Sequence, residues 1–178
     1  MQTPIDARKI TWETLKKYVY EVDGSWRDIY VLDATRQDWE KWVDFVNANY
    51  RVAFNDQIEE HRDQIDFATV LHLWSSRGEA LLLNATFFVA EIDVNCHFFD
   101  DAEIENDIDP RKIDSLTAHS QLMDYMARLS QALGKEVVLT GEDNSPRRTQ
   151  GNRAWTPLIS VNGDQVYVYP YWLDSSHY

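Results

Sequence analysis

The stretch that decides how this chain is read is CHFFDDAEIENDIDP, Cys96 to Pro110, where residues 100–109 hold six carboxylates and no Lys or Arg. Two patterns compete for it. An EF-hand calcium loop needs a glycine at its sixth position and a glutamate at its twelfth. Counting from Asp100, the sixth residue is Glu105, and no glycine occurs between Gly78 and Gly134. That reading fails. Alternation fits better: Glu103, Glu105, Asp107 and Asp109 fall on one side of an extended strand, with Ala102, Ile104, Asn106 and Ile108 on the other. The preceding residues alternate too, Val94, Cys96 and Phe98 against Asp93, Asn95 and His97.

A hairpin with a three-residue loop over 100–102 keeps the apolar sides together. It sets Phe98 opposite Ile104 and Val94 opposite Ile108. On the polar side it sets His97 opposite Glu105, Asn95 opposite Asp107, and Asp93 opposite Asp109. A two-residue turn would mix the faces, because a slip of one residue turns every side chain over. Like charges facing each other across strands cost a few tenths up to about 1 kcal/mol, so the acidic face calls for compensation. Protonated His97, an arginine from the Arg147–Arg148 region, a metal, or a cationic partner would each supply it. Carboxylates and an imidazole suit a hard divalent ion. Alternate strand residues, however, lie about 6.5–7 Å apart, whereas metal ligands must converge on a point.

Working outward, Asp28–Ala34 (DIYVLDA) is rich in strand formers, and Thr35 with Asp38 makes a capping box ahead of Trp39, Trp42, Val43 and Val46 at helical spacing. Ile10–Val22 carries a helical stripe of Trp12, Leu15, Tyr18 or Val19, and Val22. YRVAF within 49–58, Phe67–Trp74, Glu79–Val89 and Lys135–Thr140 read as strands. Ser115–Leu133 is the strongest helix, with Leu122, Met126, Leu129 and Leu133 in one stripe and Gly134 placed to end it. Gly141–Arg153 reads as a polar loop. Asn162-Gly163, between Pro157–Val161 and Asp164–Tyr169, signals a β-hairpin. Without internal repeat or linker, residues 1–178 read as one α+β domain, a mostly antiparallel sheet with two or three helices packed on one face.

Forty-four per cent of the 178 residues are hydrophobic, with seven Trp, a composition that buries a core rather than staying disordered. Cys96 is the sole cysteine, which excludes an intramolecular disulfide and a Cys-based zinc cage. The N-terminus is polar and mixed in charge, unlike a signal peptide, and the longest apolar run, Ala80–Ala90, is too short for a membrane helix. A cytoplasmic location is expected, with no membrane association.

The formal net charge is −13, and Glu91–Pro110 holds eight of the thirty acids. Such a field disfavours nucleic acid and points to a basic protein partner. None of the five histidines has a paired zinc spacing, and no nucleophile elbow, P-loop or dinucleotide fingerprint occurs. Nothing calls for a cofactor. Cys96, on the apolar side of its strand, is expected to be inert. Tyr167, Tyr169 and Tyr171 alternate on one side of the last strand, as an interface or as a half-buried sheet face.

In size, acidity and absence of catalytic signature the chain is similar to bacterial immunity proteins that neutralise cationic toxins, a similarity of composition alone. The leading expectation is a non-enzymatic binding module using Asp93, His97, Glu103, Glu105, Asp107, Asp109, Tyr167 and Tyr169. A metal-dependent hydrolase using the 93–109 carboxylates with His97, and an oligomeric scaffold or regulatory subunit using the tyrosine strand, are the alternatives.

Overall fold

The computed structural model describes residues 3–55, 62–76, 83–99, 101–145 and 157–171. The Arg147, Arg148 and Arg153 region, Asp100, the first part of the 79–89 strand reading, His61, His177 and Trp172 lie outside these. Within them, nine strands form one antiparallel sheet. In chain order these are β1 (Ile5–Asp6), β2 (Arg27–Val31), β3 (Arg51–Asn55), β4 (Asn84–Val89), β5 (Ile92–Cys96), β6 (Ile104–Ile108), β7 (Val137–Gly141), β8 (Ile159–Asn162) and β9 (Gln165–Val168). The spatial order is β1-β9-β8-β7-β2-β6-β5-β4-β3. Four helices accompany it among the described residues: α1 (Trp12–Tyr18), α2 (Arg36–Asn49), α3 (Phe67–Ser75) and α4 (Leu116–Leu133). The fold is α+β.

Alternation in the strands explains the layering. β4, β5 and β6 each bury every second residue, and Phe87, Val94, Cys96, Ile104 and Ile108 share one core with Trp39, Trp42, Val43 and Val46 of α2 and Leu122, Met126 and Leu129 of α4. Helix α4 starts at its Ser115 cap and ends at Gly134, whose φ of 64° is the left-handed conformation that glycine adopts at no steric cost. The Thr35–Asp38 capping box opens α2 as expected.

The predicted hairpin register is present: Val94 pairs with Ile108 and Asn95 with Asp107. The ladder is shorter than the alternation suggested, because β5 stops at Cys96 and Phe98 takes a φ of 52°. Phe98 is nonetheless buried among Trp39, Trp42 and Phe54, and the Trp74 indole donates to its carbonyl at 2.9 Å. That bond and the ring cluster hold a backbone conformation that a non-glycine residue seldom adopts.

Three sequence expectations are corrected. Phe67–Trp74 is helix α3, not a strand: the Asp66 side chain accepts from the Ala68 amide and the Thr69 hydroxyl, and a short apolar run fits either period until its cap is seen. Helix α1 ends at Tyr18, and Val22 beyond it is exposed. In the last hairpin Asn162 pairs with Gln165, so the two loop residues are Gly163 and Asp164 rather than Asn162 and Gly163. This register sets Val161 against Val166; the other would have faced Val161 with Asp164. Positive φ falls on Gly163, at 58°, and not on Asp164, so only the first loop position demanded glycine.

Candidate acidic depression on the open face of the sheet

The sheet face away from the core is where the acids gather. β6 offers Glu105 and Asp107, and β2, its neighbour, sets Asp28 opposite Asp107 and Tyr30 opposite Glu105. On the other side Asp107 meets Asn95 of β5, which meets Thr86 of β4. A polar chain crosses the strands here. Thr86 Oγ1 donates to Asn95 Oδ1 (2.8 Å), Asn95 Nδ2 donates to Asp107 Oδ1 (2.8 Å), and His97 Nε2 lies 3.0 Å from Asp107 Oδ2. That hydrogen bond raises the His97 pKa above its ordinary value, with the neighbouring negative charges of Asp107 and Glu105 adding to it.

Asp28 sits deepest. Only 4% of it is exposed, and its Oδ2 accepts from both the Tyr30 hydroxyl (3.2 Å) and the Asp143 amide (2.9 Å). Burial, reinforced by the charge of Glu105 and then Asp107, pushes its pKa up to about 7. The loop after β7 closes in from one side, where Glu142 accepts from the Trp26 amide at 3.2 Å. The result is a depression of about 600 Å³ lined by Asp28, Glu105, Asp107, Glu142 and Asp143, by Asn84, Asn95 and His97, and by Trp26 and Phe99. No Lys or Arg lines it among the described residues. Trp26 is 38% and Phe99 71% exposed, and the Phe99 ring stacks on His97 at 5.2 Å between centroids.

The expected site residues therefore divide. His97, Glu105 and Asp107 line the depression. The others have found cations or hydroxyls elsewhere: Asp93 lies 3.6 Å from Lys112, Asp109 caps a short turn and pairs with Arg111, and Glu103 accepts from the Ser145 hydroxyl at 2.8 Å. Asp101 of the same stretch pairs with Arg36. Local partners thus offset much of the repulsion that the alternation implied. Tyr167 and Tyr169 line no part of the depression. Tyr167 borders a smaller one with Asp6 and Arg8, and Tyr169 is half-buried with its hydroxyl 3.4 Å from Ser160.

Sequence reasoning missed Asp28, Tyr30, Trp26, Phe99, Glu142 and Asp143. The sequence shows Asp28 only as an acid at the head of the strand-forming run DIYVLDA; that all five residues of β2 are buried is set by the sheet around it. Cys96 is fully buried and its thiol pKa is raised by that burial, which leaves little of the reactive thiolate. Among the described residues no group of three His, Cys, Asp or Glu side chains is placed to hold a metal ion, and no helix is long and apolar enough to cross a membrane. No protein-family model matches the sequence, and no curated protein or solved structure matches it either.

Proposed function

We propose that the chain is a non-enzymatic binding protein whose acidic depression receives basic side chains of a protein partner, with neutralisation of a cationic toxin in the manner of an immunity protein as its specific form. One observation carries this reading: five acidic side chains share a depression with two exposed aromatic rings and, among the described residues, no lining Lys or Arg. A guanidinium or ammonium group is attracted by such a field. Carboxylates form charge-assisted hydrogen bonds with it, and an aromatic face adds roughly 0.5–1 kcal/mol at an exposed site. Charge complementarity would also speed encounter and reject acidic competitors.

A tetra-arginine peptide is a defined probe. Titrated by calorimetry at low salt, it is expected to bind wild-type protein and to lose at least tenfold in affinity when Glu105, Asp107 and Glu142 are changed together to Gln, Asn and Gln. Raising ionic strength to about 0.3 M, which shortens the screening length below 8 Å, should weaken the wild-type complex. Equal binding by the triple variant, or no binding at any salt concentration, would overturn the assignment.

A further inference from the structure

Asp28 is placed unlike any other acid of the depression. Its neighbour Arg27 turns to the opposite side of the strand, where its guanidinium donates to the carbonyls of Val19, Glu21 and Trp26. None of the ion pairs among the described residues includes Asp28. The groups that face it are the Tyr30 hydroxyl from its own strand, Glu105 and Asp107 from β6, and Glu142 and Asp143 from the loop after β7, with His97 beyond Asp107. Thr140 of β7, directly opposite, carries no charge. Both donors that reach the carboxyl group converge on Oδ2; they favour the ionised form, and burial with the charges of Glu105 and Asp107 outweighs them.

A buried carboxyl among ionised carboxylates favours its neutral form, because ionising it costs desolvation and like-charge repulsion at once. A cation brought into the same depression reverses the second cost. We propose that Asp28 keeps its proton up to near neutral pH in the free protein and releases it to solvent when a cationic group enters the depression, so that binding and proton release are coupled. The coupling rests on the reading of the depression as a site for basic groups; the proton on the free protein does not. The pKa of about 7 agrees with it.

Two measurements separate the parts. Carbon-13 spectra of aspartate carboxyl groups, followed from pH 3 to 9 in the free protein, are expected to show Asp28 titrating near 7, well above the exposed aspartates. A midpoint in the ordinary carboxylate range near 4 overturns the proposal outright. The tetra-arginine peptide is then titrated from pH 6 to 8 in the His97→Gln variant, which removes the imidazole whose pKa the Asp107 hydrogen bond raises. Linkage to one proton with a midpoint near 7 makes affinity rise about tenfold over that span, and adding Asp28→Asn should flatten it. Binding that stays constant with pH in His97→Gln overturns the coupling. Failure of the peptide to bind at any pH overturns the coupling together with the reading of the site, whereas the stored proton is then decided by the spectra alone.

Discussion

Asn106 of β6 and Asp28 of β2 are buried polar side chains one residue apart in the same ladder, on opposite faces of one sheet. Asn106 points into the helix-covered core. Its Oδ1 accepts from the Tyr125 hydroxyl of α4 at 3.0 Å, and its Nδ2 donates to the Glu105 carbonyl. A neutral group whose bonds are met can be buried at little net cost, and such a pair fixes how α4 docks. Asp28 is buried among acids instead, with no cation beside it among the described residues. Burial of a polar group serves packing on one face, whereas on the other it leaves a carboxyl group among acids.

The largest effect is expected in the core. Trp42 is fully buried and stacks edge-on against Trp39, Phe87 and Phe98. Trp42→Ala should cost about 3–5 kcal/mol in chemical denaturation and loosen both faces together. Tyr125→Phe is the more selective change. It strands the buried Asn106 oxygen and should cost about 1–3 kcal/mol, without altering peptide binding on the open face.

The two faces should also separate by pH. Burial lowers the His119 pKa to about 4 on the core side, where its Nδ1 lies 2.8 Å from the Tyr20 hydroxyl. The unfolded chain takes up that proton below about 6.5 and the folded one does not. Stability from His119 is therefore present above 6.5 and lost as pH falls towards 4. Asp28 has the opposite sign. Its folded pKa is raised, so its contribution is present below 3.8 and is lost as pH rises through about 7. Thermal melts from pH 4 to 8 should show Asp28→Asn gaining stability relative to wild type as pH rises. His119→Gln should remove a loss seen on the acid side.

The smallest effect is expected from His97→Ala. Its ring is close to half exposed, and an exposed ion pair contributes about 0.2–1 kcal/mol. The loss should be confined to pH values where the imidazole is charged, because its raised pKa makes the contribution present below about 6.5 and lost above the folded value.

Much of the fold was legible from local rules. The capping box at Thr35 and Asp38, the Gly134 stop and the register of the β5–β6 hairpin follow from side chains that act within a few residues of themselves. Phe67–Trp74 departs from its strand reading because a short apolar run carries no period strong enough to distinguish helix from strand, and the Asp66 cap decides between them. The turn at Ala90-Glu91, with Ala90 at a φ of 53°, had no glycine or asparagine to announce it. Of the site, His97, Glu105 and Asp107 could be named from alternation because they belong to one hairpin.

Asp28, Trp26, Glu142 and Asp143 could not. They join those residues only because β2 inserts between β6 and β7, a pairing across some 80 residues on one side and 110 on the other that no local period encodes. The sequence by itself determined that this is an α+β chain with an acid-faced hairpin and an inert, buried cysteine. Only the tertiary structure decided which acids are neutralised by nearby cations and which are gathered around Asp28, because charge compensation acts through space and strand order sets what lies within reach.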